Sequence, residues 1–243
     1  MQNPSVAVKG GTTLRLSGGG YDAAPYTVDA NTLLEFGGGN KRQLYNLTSF
    51  AGEGSFLVDE GVDAQIVDGS TVPISTGTFT LSGSPKFPSA TLDGTPGPGA
   101  PAGTPYGTFA ISSANASWDS GSGLLNTYVF VLAQSTLDIG ATGVAPAVTM
   151  ATSQLSLDGT TTWASTADIQ MINSQITNAG TFTVANGQAI KPPPLQQANS
   201  VFVNAGTLLK VAGTAATTIA VDFVNQGTLN FNGTTISFGG TTQ

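Results

Sequence analysis

The chain has no cysteine and no histidine among its 243 residues. The first absence excludes a disulfide framework and thiolate chemistry. The second excludes His-based triads and most zinc sites. Charge is scarce as well: 14 acidic and 7 basic side chains make up 9% of the sequence and leave a formal net charge of −7. Lys41-Arg42 is the one adjacent basic pair, so the clustered cations that a nucleic-acid backbone calls for are missing. No apolar run reaches the length of a membrane span. The opening MQNPSVAVKGG lacks a basic start followed by an apolar stretch and is not read as a secretory signal. Neither nucleic acid nor membrane insertion is expected, and no residue pattern calls for a cofactor.

What is present is Gly, 32 residues of it, together with much Thr, Ser, Ala and Asn and an apolar fraction of 40%. That fraction suffices for a core. The abundance of Val, Ile, Thr and Phe separates the chain from charge-rich disordered sequences. Within this composition one phrase recurs: Gly-Thr, an apolar residue, any residue, an apolar residue, then a turn. Copies begin at Thr13, Leu33, Ser55, Thr78, Thr108, Thr136, Gln154, Thr181, Thr207 and Thr228, which places neighbours 18 to 30 residues apart. Each copy alternates outside and inside, the period-2 mark of a half-buried strand, and most are flanked by Gly or Asn-Gly turn signals. No helical period persists.

A short strand returning every twenty-odd residues is explained by a solenoid, in which each turn stacks on the last and equivalent residues superpose. The interval from Thr207 to Thr228 has room for about three short strands joined by tight corners. The sequence therefore predicts an all-β, single-domain parallel β-helix over 1–243, of about ten coils and roughly 50 Å long. Loop excursions are expected near 18–31, 82–107 and 187–199, the last two being rich in Pro, which cannot sit in a central strand. In the last full copies the phrase opens with Asn178-Ala-Gly180, Asn204-Ala-Gly206 and Asn225-Gln-Gly227. Asn suits a corner, and stacked corners let each amide bond the next, as in cross-β ladders. The glycines are expected to take positive φ.

FVNAGTLLKV and FVNQGTLNFNG, from Phe202 and Phe223, resemble the N-x-G-T-L runs of autotransporter and filamentous-haemagglutinin passenger domains. The close likeness covers about 170–240. It implies a β-helix and, with it, secreted bacterial adhesins; phage tailspikes, fibres and capsid decorations are built on β-helices too.

Some β-helices cleave polysaccharides, which takes paired carboxylates beside a cation. The densest acidic cluster here is Asp59-Glu60-Gly-Val-Asp63. Its oxygens make it a weak Ca²⁺ candidate, but it lacks EF-hand spacing and reads as a solvated turn. Tyr21, Tyr26, Tyr106, Trp118 and Trp163 lie between the rung phrases and are candidates for contact with a partner, since aromatic faces anchor interfaces and stack on sugars. The expected function is that of a non-enzymatic structural or surface protein. A virion component of capsid-decoration, spike or fibre type, bound to protein neighbours and possible as a homotrimer, comes first. An adhesin passenger fragment comes second, and a carbohydrate-binding or -cleaving β-helix on surface polysaccharide third. The expected location is a virion, or the cell surface and extracellular space.

Overall fold

In the computed structural model the described residues are 5–22, 24–39, 42–44, 49–51, 54–58, 62–66, 78–82, 86–87, 91–93, 107–112, 116–118, 121, 123–140, 147–196, 199–211 and 214–241. They form strands and turns with no helix, and the architecture is the parallel β-solenoid that the sequence predicts. Three sheets run along the coil. Each holds ten strands, and each strand pairs with those three places before and after it in chain order. Sheet 1 extends from Val6–Val8 to Asp222–Asn225, sheet 2 from Thr13–Ser17 to Thr228–Asn230, and sheet 3 from Gly20–Asp22 to Ile236–Phe238. Strands of the three sheets alternate along the chain. The regular coil has about seven turns rather than the ten expected.

The ten phrases do not form one column. Seven stack in sheet 2, whereas those at Thr78, Thr108 and Gln154 belong to sheet 1. In those turns sheet 2 is supplied by Lys86–Phe87, Ala116–Trp118 and Thr160–Trp163. Alternation marks a half-buried strand but does not say which of three equivalent walls it builds. The segments expected as excursions also contribute strands to the coil. Segment 18–31 contains Gly20–Asp22 and Pro25–Val28, both in the coil. Segment 82–107 contains Lys86–Phe87 and Thr91–Asp93, and 187–199 contains Ala189–Lys191. Pro25 is accommodated because it is the first residue of its strand. Beyond Lys191 the chain does swing out, and Leu195 is fully exposed with φ 64°.

The core lies along the axis. In Gln175–Asn178 and Thr181–Val184 half-buried and buried positions alternate, and the inward residues Ile176, Phe182 and Val184 are at 0% exposure. The third wall contributes Ile169, Ile190 and Ile219, also fully buried. Ring contacts link the turns, Phe182 to Phe202 at 5.4 Å and Phe202 to Phe223 at 5.7 Å between centroids, and Phe223 stacks across the last turn on Phe238 at 4.5 Å. The fully buried Phe182 and Phe202 contribute about 2–3 kcal/mol each.

Candidate functional site

The N-x-G-T phrase forms the corner between sheets 1 and 2. Asn178, Asn204 and Asn225 are register partners at the ends of their strands. Asn178 Nδ2 donates to Asn204 Oδ1 at 2.7 Å, and Asn204 Nδ2 to Asn225 Oδ1 at 2.7 Å. The second amide hydrogen goes to a backbone carbonyl, Thr207 O from Asn178 and Thr228 O from Asn204. The expected amide ladder is therefore present. It starts at Asn178, whose buried Oδ1 has no hydrogen-bond partner; the register position one turn back is Leu157.

The corner glycines do not have the positive φ expected of them. Their requirement is space. A Cβ on Gly180 would stand 2.0 Å from Gly159 O, on Gly206 2.1 Å from Gly180 O, and on Gly227 2.1 Å from Gly206 O. The backbones approach because Thr181, Thr207 and Thr228 N–H groups each donate to the carbonyl of the glycine one turn back. Left-handed backbone is used elsewhere, at Asn126, Thr152 and Asn173.

Those three residues mark the corner between sheets 3 and 1, where a second ladder runs. Thr127 N donates to Ser153 Oγ at 3.2 Å, Ser153 N to Ser174 Oγ at 3.1 Å, and Ser174 N to Ser200 Oγ at 3.1 Å. The hydroxyls of Thr127, Ser153 and Ser174 each donate to the carbonyl two residues earlier. Sequence reasoning missed this ladder. Its signal was Asn126-Thr127, Thr152-Ser153, Asn173-Ser174 and Asn199-Ser200, each opening a sheet 1 strand or directly preceding one.

Of the aromatics expected to meet a partner, Tyr21 is exposed, at 72%. Tyr26, Trp118 and Trp163 are corrections: all three are buried, at 4%, 4% and 0%. Alternation turns Trp118 and Trp163 inward, into one column with Ile139, Val184 and Lys210. Tyr26 packs edge-on against Phe36 at 6.2 Å and its hydroxyl donates to Asp22 Oδ1. Burial, and then the Asp22 carboxylate, pushes the Tyr26 phenol well above its ordinary value. Arg42 completes this cluster, donating from Nε to Asp22 Oδ2 at 2.6 Å and lying 4.7 Å from the Phe36 ring centroid. Tyr106, Asp59 and Glu60 lie outside the described residues. Asp63 opens the strand Asp63–Ile66 and pairs in register with Thr91; its side chain is also outside them. Among the described residues no three His, Cys, Asp or Glu gather as metal ligands.

Lys210 sits in a core position. It is fully buried, and its Nζ donates to Asn186 O and to Thr217 Oγ1. Among the described residues no carboxylate pairs with it. Burial lowers its pKa below the ordinary lysine value.

Among the described residues a groove of about 250 Å³ runs along the corner of sheets 3 and 1. Ser153 and Ser174 of the hydroxyl ladder line it. One side carries Thr152, Asn173 and Asn199, all exposed; the other carries Tyr128, Gln154, Gln175 and Val201, which are consecutive register partners in sheet 1. No lining residue is charged. No family model matches the chain, and no match is found among curated proteins or among solved structures.

Proposed function

We propose that this chain is a non-enzymatic structural protein, a stiff acidic rod that acts through contacts of its outer faces. A virion component of decoration, spike or fibre type is the preferred form. The observation that carries the reading is where the buried polar groups go. The Asn178–Asn204–Asn225 amides and the Ser153–Ser174–Ser200 hydroxyls are committed to holding one turn on the next. Ladders of this kind give a shape that resists bending, which suits a part built into an assembly. Strand edges at the ends of such a coil favour pairing with a neighbour. A passenger fragment of a secreted adhesin is the second reading, favoured by the N-x-G-T-L phrase itself.

Light scattering coupled to size exclusion, over a hundredfold range of concentration, tests the preferred form. A trimer or larger assembly is expected. A monomer at every concentration, with no co-sedimentation in particles from the source, overturns it.

A further inference from the structure

We infer that the outer face of sheet 1, with the groove beside it, is a binding surface for a neutral glycan chain. The proposal goes beyond the structural role and holds whether the rod is carried on a particle or on a cell. It starts from the strand Thr127–Val131. Thr127, Val129 and Val131 point inward and are buried, so Tyr128 and Phe130 point out. Phe130 is 41% exposed, a large apolar ring beside the half-buried Tyr128 on the outer face. Register then places a different chemistry on each following turn. Tyr128 is followed by Gln154 and Gln175, and Phe130 by Ser156 and Thr177. Two rings thus stand at one end of a flat array of amides and hydroxyls, and Asn173 and Asn199 add further amides along the groove edge.

Sugars ask for this combination. A pyranose offers an apolar C–H face to an aromatic ring, and neighbouring hydroxyls that both donate and accept. Gln and Asn amides also do both, from one planar group. Successive turns repeat these groups every ~4.8 Å, so the path from Tyr128 to Val201 is about 14 Å long. That suits a short run of an extended chain better than a single small molecule. The charge pattern narrows the class. The groove lining and the Phe130–Ser156–Thr177 column carry no ionised side chain. Phosphate and uronate ligands would lack the cations they need. A peptide added along a sheet edge would need unpaired backbone groups, whereas strands 127–131, 154–157 and 175–178 are paired on both sides.

The test presents labelled full-length protein to an array of immobilised oligosaccharides, neutral and acidic. The expected result is binding to neutral members that persists in high salt, since no ion pairs are involved. Tyr128→Ala and the double variant Gln154→Ala/Gln175→Ala are each expected to weaken it about tenfold or more. Tyr128 is half-buried, so circular dichroism and a melting curve accompany it; Gln154 is exposed and its variant reports even if Tyr128→Ala unfolds. Absence of binding to every neutral member overturns the proposal. So does binding confined to acidic members, or neutral binding that the glutamine double variant leaves unchanged.

Discussion

Lys210 shows how a single residue can run against the pattern around it. Its register position one turn back is Val184, and before that Trp163 and Ile139, all fully buried. A lysine there brings an amine into an apolar column. Asn186 O and Thr217 Oγ1 take up its hydrogens, but no anion balances the charge among the described residues. The neutral form is favoured in the fold, so the pKa is lowered. Between that value and the unfolded one, the unfolded chain binds the extra proton, and stability must rise with pH. The Tyr26 shift acts in the opposite sense, because a raised phenol pKa costs stability only once the unfolded phenol ionises, at its ordinary value of 10.0. The two effects separate below that point. Urea midpoints are expected to climb with pH in the native chain on the approach to pH 10, and to stay flat over the same range in Lys210→Met. A native profile with no slope, or the same slope in Lys210→Met, refutes the assignment.

At the scale of the element, the corner is the unit the sequence makes most legible. Asn, Gly and Thr recur because each amide, each close backbone approach and each Thr N–H must meet its equivalent one turn away. The reason for the glycine was less legible. Positive φ and lack of room both select Gly, and a letter cannot distinguish them; the distance from a Cβ on Gly206 to Gly180 O does. The hydroxyl ladder escaped notice because Ser and Thr are abundant throughout, so a two-residue Asn-Ser signal does not stand out. Buried Trp118 and Trp163 were open to either reading, since an isolated aromatic between phrases has no register until its strand is assigned. The amide ladder makes a prediction through its polarity. Asn204 bonds on both sides, and Asn204→Leu takes the partner from one amide hydrogen of Asn178, from Asn225 Oδ1 and from Thr228 O. Asn178→Leu moves the ladder's start down one turn and removes one bond to Thr207 O. It exchanges the unpartnered Oδ1 of Asn178 for that of Asn204 and continues the Leu157 position. Asn204→Leu is therefore expected to cost about 2–3 kcal/mol and Asn178→Leu about 1 kcal/mol or less. Equal losses in denaturant unfolding would contradict the ladder as an energetic unit.

For the whole molecule, stacking makes stability a matter of neighbours. An interior turn is covered above and below, and a terminal turn on one side only. The burial pattern records this. Leu208 is at 0% exposure, while its register partner Leu229 in the last turn is at 38%, and all of Thr228–Asn230 is exposed. At the other end Leu14 and Leu16 are half-buried, whereas their partners Leu34 and Phe36 are at 0%. Local opening should therefore start at both ends and be rarest between about 148 and 208, where the inward residues of all three walls are fully covered. Hydrogen–deuterium exchange followed by mass spectrometry checks this directly. Amides of Thr181–Val184 and Val201–Asn204 are expected to exchange about a hundredfold or more slowly than those of Thr13–Ser17 and Thr228–Asn230. Uniform protection would mean that the coil opens as one cooperative unit and that nearest-neighbour stacking does not describe it. The same measurement bears on assembly. If raising the protein concentration slows exchange at Thr228–Asn230 alone, a second copy is pairing with that edge. If it slows the sheet 1 strands instead, the contact between copies runs along the side of the rod.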